Sequence, residues 1–303
     1  MLLYAKLLVS MLIWGGTWVS GRVVAREVTP FSAAFLRYVF ASLVLVMVLM
    51  RTEKRFRLPA RNEILPLFLL GLTGIFLYNT CFFAALHTEE AGRAALISAS
   101  IPAFVALGDF LFLGARLSPS RLLGIPVSLF GVALILSHFH LATLFTSGSE
   151  LGMGDVYLLA CALSWAAYTI LGKRCVECMT PLFSVTWACL FGSLLLLPCA
   201  LVEGVVTKIP LVSSTAWGNL LFLGVVATGL AFCWYYEALK GIGASRAGVF
   251  INLVPVAAII LGVLILGEHV SLSLLVGGAT VLFGVFLTNR PQRAPRIRAR
   301  AAA

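Results

Sequence analysis

The sequence predicts an all-α polytopic membrane protein, with ten transmembrane helices arranged as two inverted five-helix repeats. Three observations lead there: an apolar excess that no soluble fold accommodates, ten apolar runs of bilayer length, and punctuation residues that recur at a fixed offset. Of 303 residues, 61% are hydrophobic and 11% are charged, and the mean hydropathy is +1.03. Soluble domains carry about a quarter charged residues, so 22 basic and 12 acidic side chains could not cover the surface of a soluble particle. The same apolar content excludes disorder. A lipid bilayer is the remaining solvent, and ten spans of about 20 residues would use about two thirds of the chain.

The runs are 3–21, 31–50, 64–86, 93–114, 121–137, 154–172, 181–202, 214–239, 244–267 and 271–288. Helices are required because hydrocarbon offers no partner for free backbone groups, and the alternation of a membrane barrel is absent. The first run lacks a cleavage pattern and its sequence recurs later, so it reads as a retained helix. The organisation expected is a first repeat over 1–138, a connecting loop over 139–153, a second repeat over 154–289 and a basic, disordered tail over 290–303.

The net charge of +10 would raise the question of nucleic acid in a soluble chain. Here the basic residues sit in loops and tail, which excludes a nucleic-acid partner and sets orientation instead. Seventeen of them fall in even-numbered connections, among them Lys6, Arg51, Arg121, Lys173 and Arg290. Only Arg22, Arg26, Arg93 and Lys208 fall in odd ones. Both termini are therefore expected in the cytoplasm, with the chain in the cytoplasmic (inner) membrane. The seven cysteines are odd in number and mostly lie inside apolar runs, so packing is their expected role. Cys175 and Cys178 form a lone CxxC, and His87, His138, His140 and His269 are scattered. Neither set predicts a metal or a cofactor. No HExxH, Gly-x-Ser-x-Gly or pair of span-embedded aspartates is present, which argues against an enzyme.

Self-similarity sets the arrangement of the spans. Trp14, Gly21, Thr29 and Pro30 recur 151 positions later as Trp165, Gly172, Thr180 and Pro181. From the third span onward the offset becomes 153: Gly71 matches Gly224, and Arg93-Ala94 matches Arg246-Ala247. Pro102, Gly114, Ser118, Gly124 and Gly131 match Pro255, Gly267, Ser271, Gly277 and Gly284. Five spans per half is odd, so the second half must run inverted, a plan that lets a site at the seam face each side in turn.

The Trp14-Gly15-Gly16-Thr17 opening and Arg93-Ala94 leading to Pro102 and Gly114 resemble an EamA-type member of the drug/metabolite transporter superfamily. The second half echoes the late motif as Ala244-Ser245-Arg246-Ala247, Pro255 and Leu266-Gly267-Glu268. The first copy departs from it at Ala115, where the second has Glu268. The likeness covers the whole chain except the tail. It implies a ten-helix exporter of small metabolites with a central cavity lined by helices 1, 3, 4, 6, 8 and 9, in a family where many members export amino acids or their analogues.

Cavity candidates are the polar and aromatic residues in the middle of those spans. They are Trp14, Thr17 and Trp18 in the first, Tyr78, Asn79 and Phe82 in the third, Ser98 and Ser100 in the fourth, Trp165 and Tyr168 in the sixth, Trp234 and Tyr235 in the eighth, and Asn252 in the ninth. Aromatic faces accept apolar bulk or a cation, and Asn and Ser add uncharged hydrogen bonds. Such a set suits an amphipathic or zwitterionic metabolite. Pro102 and Pro255, expected to kink helix interiors, and Gly21 and Gly172 are hinge candidates. Ionisable residues inside spans are functional candidates by default: Asp109 and Glu237 for coupling, with Arg37 near the start of the second span. Arg93 and Arg246 suit capping or gate contacts. Tyr4, Trp217 and Tyr236 suit the interfacial belt, and Gly124, Ser128, Gly131, Gly277 and Gly284 suit close helix packing.

The function expected is secondary transport, exporting small metabolites by alternating access, with aromatic or apolar amino acids first. The alternatives are export of another amphipathic metabolite or drug-like cation and, in different classes, an intramembrane enzyme or a channel. The partners implied are a small-molecule substrate and the bilayer. A monomer suffices for this plan, and a homodimer is equally compatible with it.

Overall fold

The computed structural model describes residues 2–53, 57–114, 118–141, 152–175, 178–242 and 250–289. The tail from Arg290, most of the connecting loop, Ala115 and the motif around Arg246 lie outside the described residues, as does the side chain of Tyr236. Regular structure among the described residues is entirely helical.

The main helices are α1 (Leu2–Ala25), α2 (Pro30–Glu53), α3 (Arg61–Thr88), α4 (Ala91–Ser98), α5 (Ile101–Leu113), α6 (Pro119–Leu136), α7 (Met153–Cys175), α8 (Pro181–Val202), α9 (214–242), α10 (Leu253–Leu266) and α11 (Leu272–Thr288). Seven stretches are long and apolar enough to cross a membrane, counting α4 and α5 as the one stretch Ala91–Leu113. A further pair, Val205–Leu211 and Ser214–Leu230, is bent by 115°, and Leu253–Leu266 and Leu272–Thr288 are shorter apolar helices. The chain is a multi-pass membrane protein.

The helix ends follow from local chemistry. Thr180 accepts from the N–H of Phe183 (3.3 Å) just before Pro181 opens α8. Ser118 and Ser271 do the same for Arg121 and Leu274 at the starts of α6 and α11 (3.4 and 3.1 Å). These are side-chain N-caps, with proline tolerated at the first helical position. Gly114 and Gly267 close α5 and α10 at φ 62° and 67°, the left-handed C-cap that favours glycine. Both the serine and the glycine caps stand 153 positions apart.

The expected interior kinks at Pro102 and Pro255 are not what the chain forms. Each span breaks outright just before its proline, at a turn through Ala99 and Ser100 and at another through Ile251 and Asn252. Each proline then falls in the first turn of a new helix, where its missing N–H has no intrahelical partner to lose. The π-helical stretches Gly71–Leu77 and Phe222–Leu230 also overlap at the 153-residue offset.

Close helix contacts use glycines. A Cβ at Gly124 would lie 2.6 Å from the carbonyl oxygen of Gly284, and one at Gly131 2.8 Å from that of Gly277. Seen from the other side, Gly277 faces the carbonyl of Gly131 and Gly284 that of Gly124. The α6–α11 seam is thus reciprocal between corresponding residues. Between α2 and α8, Ser42 and Ser193 stand 151 positions apart and meet hydroxyl to hydroxyl at 3.4 Å.

Candidate functional site

A cavity of about 610 Å³ runs through the bundle from the buried Trp18 and Thr228 to the exposed Lys173 and Asn289. Such a volume lies within the range of about 300–1,000 Å³ usual for small-molecule pockets. Its walls come from α1, α3, α4 with α5, α7, α9 and α10, the six spans implied by the family resemblance, and also from α2, α8 and the ends of α6 and α11.

One wall is built around Trp14. Its ring lies 5.2 Å from Phe232 and 5.1 Å from Tyr235. Its Nε1 donates to the carbonyl of Ala227 (3.1 Å), in the π-helical part of α9, where widened turns leave carbonyls free for such bonds. The other wall is Trp165, 4.7 Å from Tyr78 and 5.0 Å from Tyr168. Room for the Tyr168 ring comes from Gly74, where a Cβ would lie 2.6 Å from the ring's Cγ. At the closed end Trp18 packs on Phe82 at 5.0 Å. Gly21 permits that seal, since a Cβ there would lie 2.6 Å from Phe82 and 2.7 Å from Leu86. A glycine expected to bend is therefore a packing position, whereas Gly172 meets, among the described residues, only Leu70 at 3.9 Å.

Trp14, Thr17, Trp18, Tyr78, Ser98, Trp165, Tyr168, Tyr235 and Asn252 line the cavity, as do Pro102 and Pro255. Asn79, Phe82, Ser100 and Trp234 do not. Asn79 is fully buried: it accepts from Arg37 Nη1 (3.0 Å) and donates to the Tyr38 hydroxyl (3.1 Å) and the Ile75 carbonyl (3.0 Å). Phe82 lies behind Trp18 and Tyr78. Ser100 turns its hydroxyl onto the Ile97 carbonyl (2.6 Å), and Trp234 sits on α9 away from the lining. Sequence reasoning named Arg37 only as an ionisable residue near the start of the second span and passed over Tyr38; both line the cavity and both are buried. An arginine inside an apolar run was the available signal.

Both candidate coupling carboxylates are paired. Asp109 lines the cavity and accepts from Lys173 Nζ (2.7 Å), a half-exposed lysine. Glu237 is half-exposed and pairs with Lys6 at 2.6 Å.

The opposite end is held shut by polar contacts. Arg93 donates to Asp155 (2.8 Å) and lies 3.5 Å from Glu89. Burial pushes the Glu89 carboxyl above the ordinary carboxylate range, with Arg93 pulling it back. Glu268 accepts from the N–H groups of Ala91 (2.7 Å) and Gly92 (3.1 Å), tying the end of α10 to the start of α4. Arg22 donates to the Leu86 carbonyl (2.9 Å). Glu203, at the end of α8, accepts from Thr29 (2.6 Å) and Ser32 (2.8 Å) at the start of α2.

An aromatic cavity inside a bundle of apolar helices suits a transporter, and related chains carry that name. A Bacillus subtilis chain named uncharacterized transporter YetK is 27% identical over 96% of this chain and 88% of its own length. An Archaeoglobus fulgidus chain named uncharacterized transporter is 29% identical over 94% and 96%. A solved crystal structure that is 21% identical superimposes with a TM-score of 0.61 over 94% of this chain and 96% of its own, which establishes likeness of fold. The family model described as the EamA-like transporter family matches residues 1–137 and again 152–290. With both halves matched, the chain belongs to the EamA-like transporter family and is a membrane transporter.

Proposed function

We propose that the chain is a secondary transporter that exports small metabolites across the cytoplasmic membrane by alternating access, with amino acids of aromatic or apolar character as the leading substrates. In this reading it crosses the lipid ten times as two inverted halves with both termini in the cytoplasm. Support for the two-fold relation comes from the reciprocal glycine contacts of α6 and α11 and from Ser42 meeting Ser193. Contact between corresponding residues is what a two-fold axis generates. Five spans per half then require opposite orientation. The positive-inside rule puts the mouth, with Lys173 and Arg121, on the cytoplasmic side, so the conformation described is the inward-facing one.

The single observation that carries the proposal is the cavity of about 610 Å³. It is walled by Trp14 on one half and Trp165 on the other, and its lining grades from the buried Trp18 and Thr228 to the exposed Lys173 and Asn289. Nearly equivalent halves supply two states of similar energy, and exchange between them moves the opening from one face to the other. The test is counterflow in proteoliposomes with a panel of radiolabelled aromatic and aliphatic amino acids. Saturable, trans-stimulated flux is expected for at least one of them. Flux that rises linearly without trans-stimulation would indicate a channel, and product formation without vectorial movement an enzyme.

A further inference from the structure

Arg37 is a buried cation with an incomplete set of partners. It stands seven residues past Pro30 on α2, about 10 Å along the helix from its start. It is 9% exposed and lines the cavity. Nη1 donates to Asn79 (3.0 Å), but Nε is buried and meets no acceptor. Among the described residues no carboxylate pairs with it. A guanidinium does not shed its proton to escape burial, so the charge stays and waits for a counter-charge. The rings of Tyr38 and Phe82 cover it at 5.4 and 5.6 Å, which leaves the cavity as the direction of approach.

A second polar group points the same way. Ser98 is 7% exposed, its hydroxyl has no partner, and it lines the same cavity. It ends α4, just before the break from which the thirteen-residue α5 starts. The charged lining among the described residues is also one-sided: Arg37, Arg121 and Lys173 face only Asp109, and Asp109 is already engaged by Lys173.

We infer that the carried molecule bears a carboxylate-type anionic group, received by the Arg37 guanidinium and the Ser98 hydroxyl, with its apolar part between the tryptophans. The inference rests on the transporter reading and narrows its substrate class. A purely cationic permeant would meet an unneutralised arginine. Asn79 is a positioning residue, holding Nη1 so that the remaining donors face the cavity.

The test uses the full-length protein in detergent and three probes of one shape: 3-phenylpropionate, 3-phenylpropionamide and 3-phenylpropylammonium. Quenching of the cavity tryptophans reports binding, and equilibrium dialysis of labelled probe checks it. The carboxylate is expected to bind about tenfold or more tighter than the other two, the size of one charged hydrogen bond. Arg37→Gln should abolish that preference by weakening the carboxylate while leaving the amide unchanged. Arg37→Lys, which keeps the charge, should retain preference for the carboxylate over the ammonium and covers the case in which the glutamine variant does not fold. Equal binding of carboxylate and amide, a preference that survives Arg37→Gln, or no binding by any probe would overturn the inference. Counterflow on the unmodified protein separates the two readings. A protein that prefers the carboxylate but shows no trans-stimulated flux removes the carrier and leaves the anion site. One that moves only cationic or neutral permeants removes the anion site and leaves the carrier.

Discussion

The closed end of the bundle depends on a carboxylate that has no counterpart in the other half. Glu268 accepts from the N–H groups of Ala91 and Gly92 at 2.7 and 3.1 Å, whereas Ala115 occupies the corresponding position of the first half. Alanine has no acceptor, so a latch of this kind can form at one face only, and the conformation closed at that face gains from it. Hydrogen bonds to a charged group are worth about 1.5–3 kcal/mol each. Glu268→Gln keeps one carbonyl acceptor but sets an amide NH₂ against the second N–H, so one such bond is lost. The ratio of closed to open at this face should then fall by about 10- to 150-fold. Nitroxide labels at Arg26 and Leu272, exposed positions at the end of α1 and the start of α11, would read the change by pulsed electron paramagnetic resonance in nanodiscs. A longer-distance population should appear or grow in the glutamine variant. If the distance distribution is unchanged in a variant with wild-type thermal stability, Glu268 does not bias the equilibrium and the latch is refuted.

Other substitutions separate cavity, packing and surface. Trp14→Ala or Trp165→Ala should lower flux more than Trp217→Ala at equal expression, because the first two wall the cavity and Trp217 packs on Phe40 instead; equal effects would misplace the cavity. Gly21→Ala puts a methyl 2.6 Å from Phe82 and should cost about 1–3 kcal/mol of overpacking strain, read as a lower melting temperature in detergent, where no change would show that the ring moves freely. Arg93→Ala strands Asp155, which is 2% exposed, and a buried pair so broken costs about 3–5 kcal/mol. Lys6→Ala breaks a pair whose Glu237 is half-exposed, worth about 0–1 kcal/mol, so the order of the two melting temperatures is the check.

Helix positions were legible because lipid imposes length and apolar content directly on the chain. Each of the ten apolar runs has a helical counterpart among the described residues. The breaks at Ala99–Ser100 and Ile251–Asn252 were less legible. Pro102 and Pro255 announce a disturbance, yet whether a span kinks or restarts depends on what satisfies the freed backbone groups, and that is tertiary. The same limit governed the site. Trp14 and Trp165 stood out as mid-span rings with a polar edge. Asn79 stood out equally, but an amide in a span can face a cavity or a neighbouring side chain, and here it faces Arg37 and Tyr38. Arg37 could be weighed as a loop-edge charge because only seven residues separate it from Pro30. Its burial comes from the packing of α2 against α3, α8 and α9, which no local pattern reports.

What repeats between the halves and what does not follows one division. Backbone devices repeat: the prolines after the breaks, the left-handed caps at Gly114 and Gly267, the serine caps at Ser118 and Ser271. Several charged and polar groups of the cavity and the closed end do not. Arg37 corresponds to Ala188, Ser98 to Ile251, Tyr78 to Ala231, and Glu268 to Ala115. Under the alternating access proposed, exchange between two states of similar energy requires both halves to be able to bend and seal alike, which would keep the backbone devices paired. A single molecule at the seam has no two-fold symmetry of its own, so duplicating its counter-charge would leave one arginine buried and unpaired in every loaded state. The departures from the repeat are therefore where substrate recognition and the bias between states should be sought, and Arg37 and Glu268 are two ionisable residues that stand there.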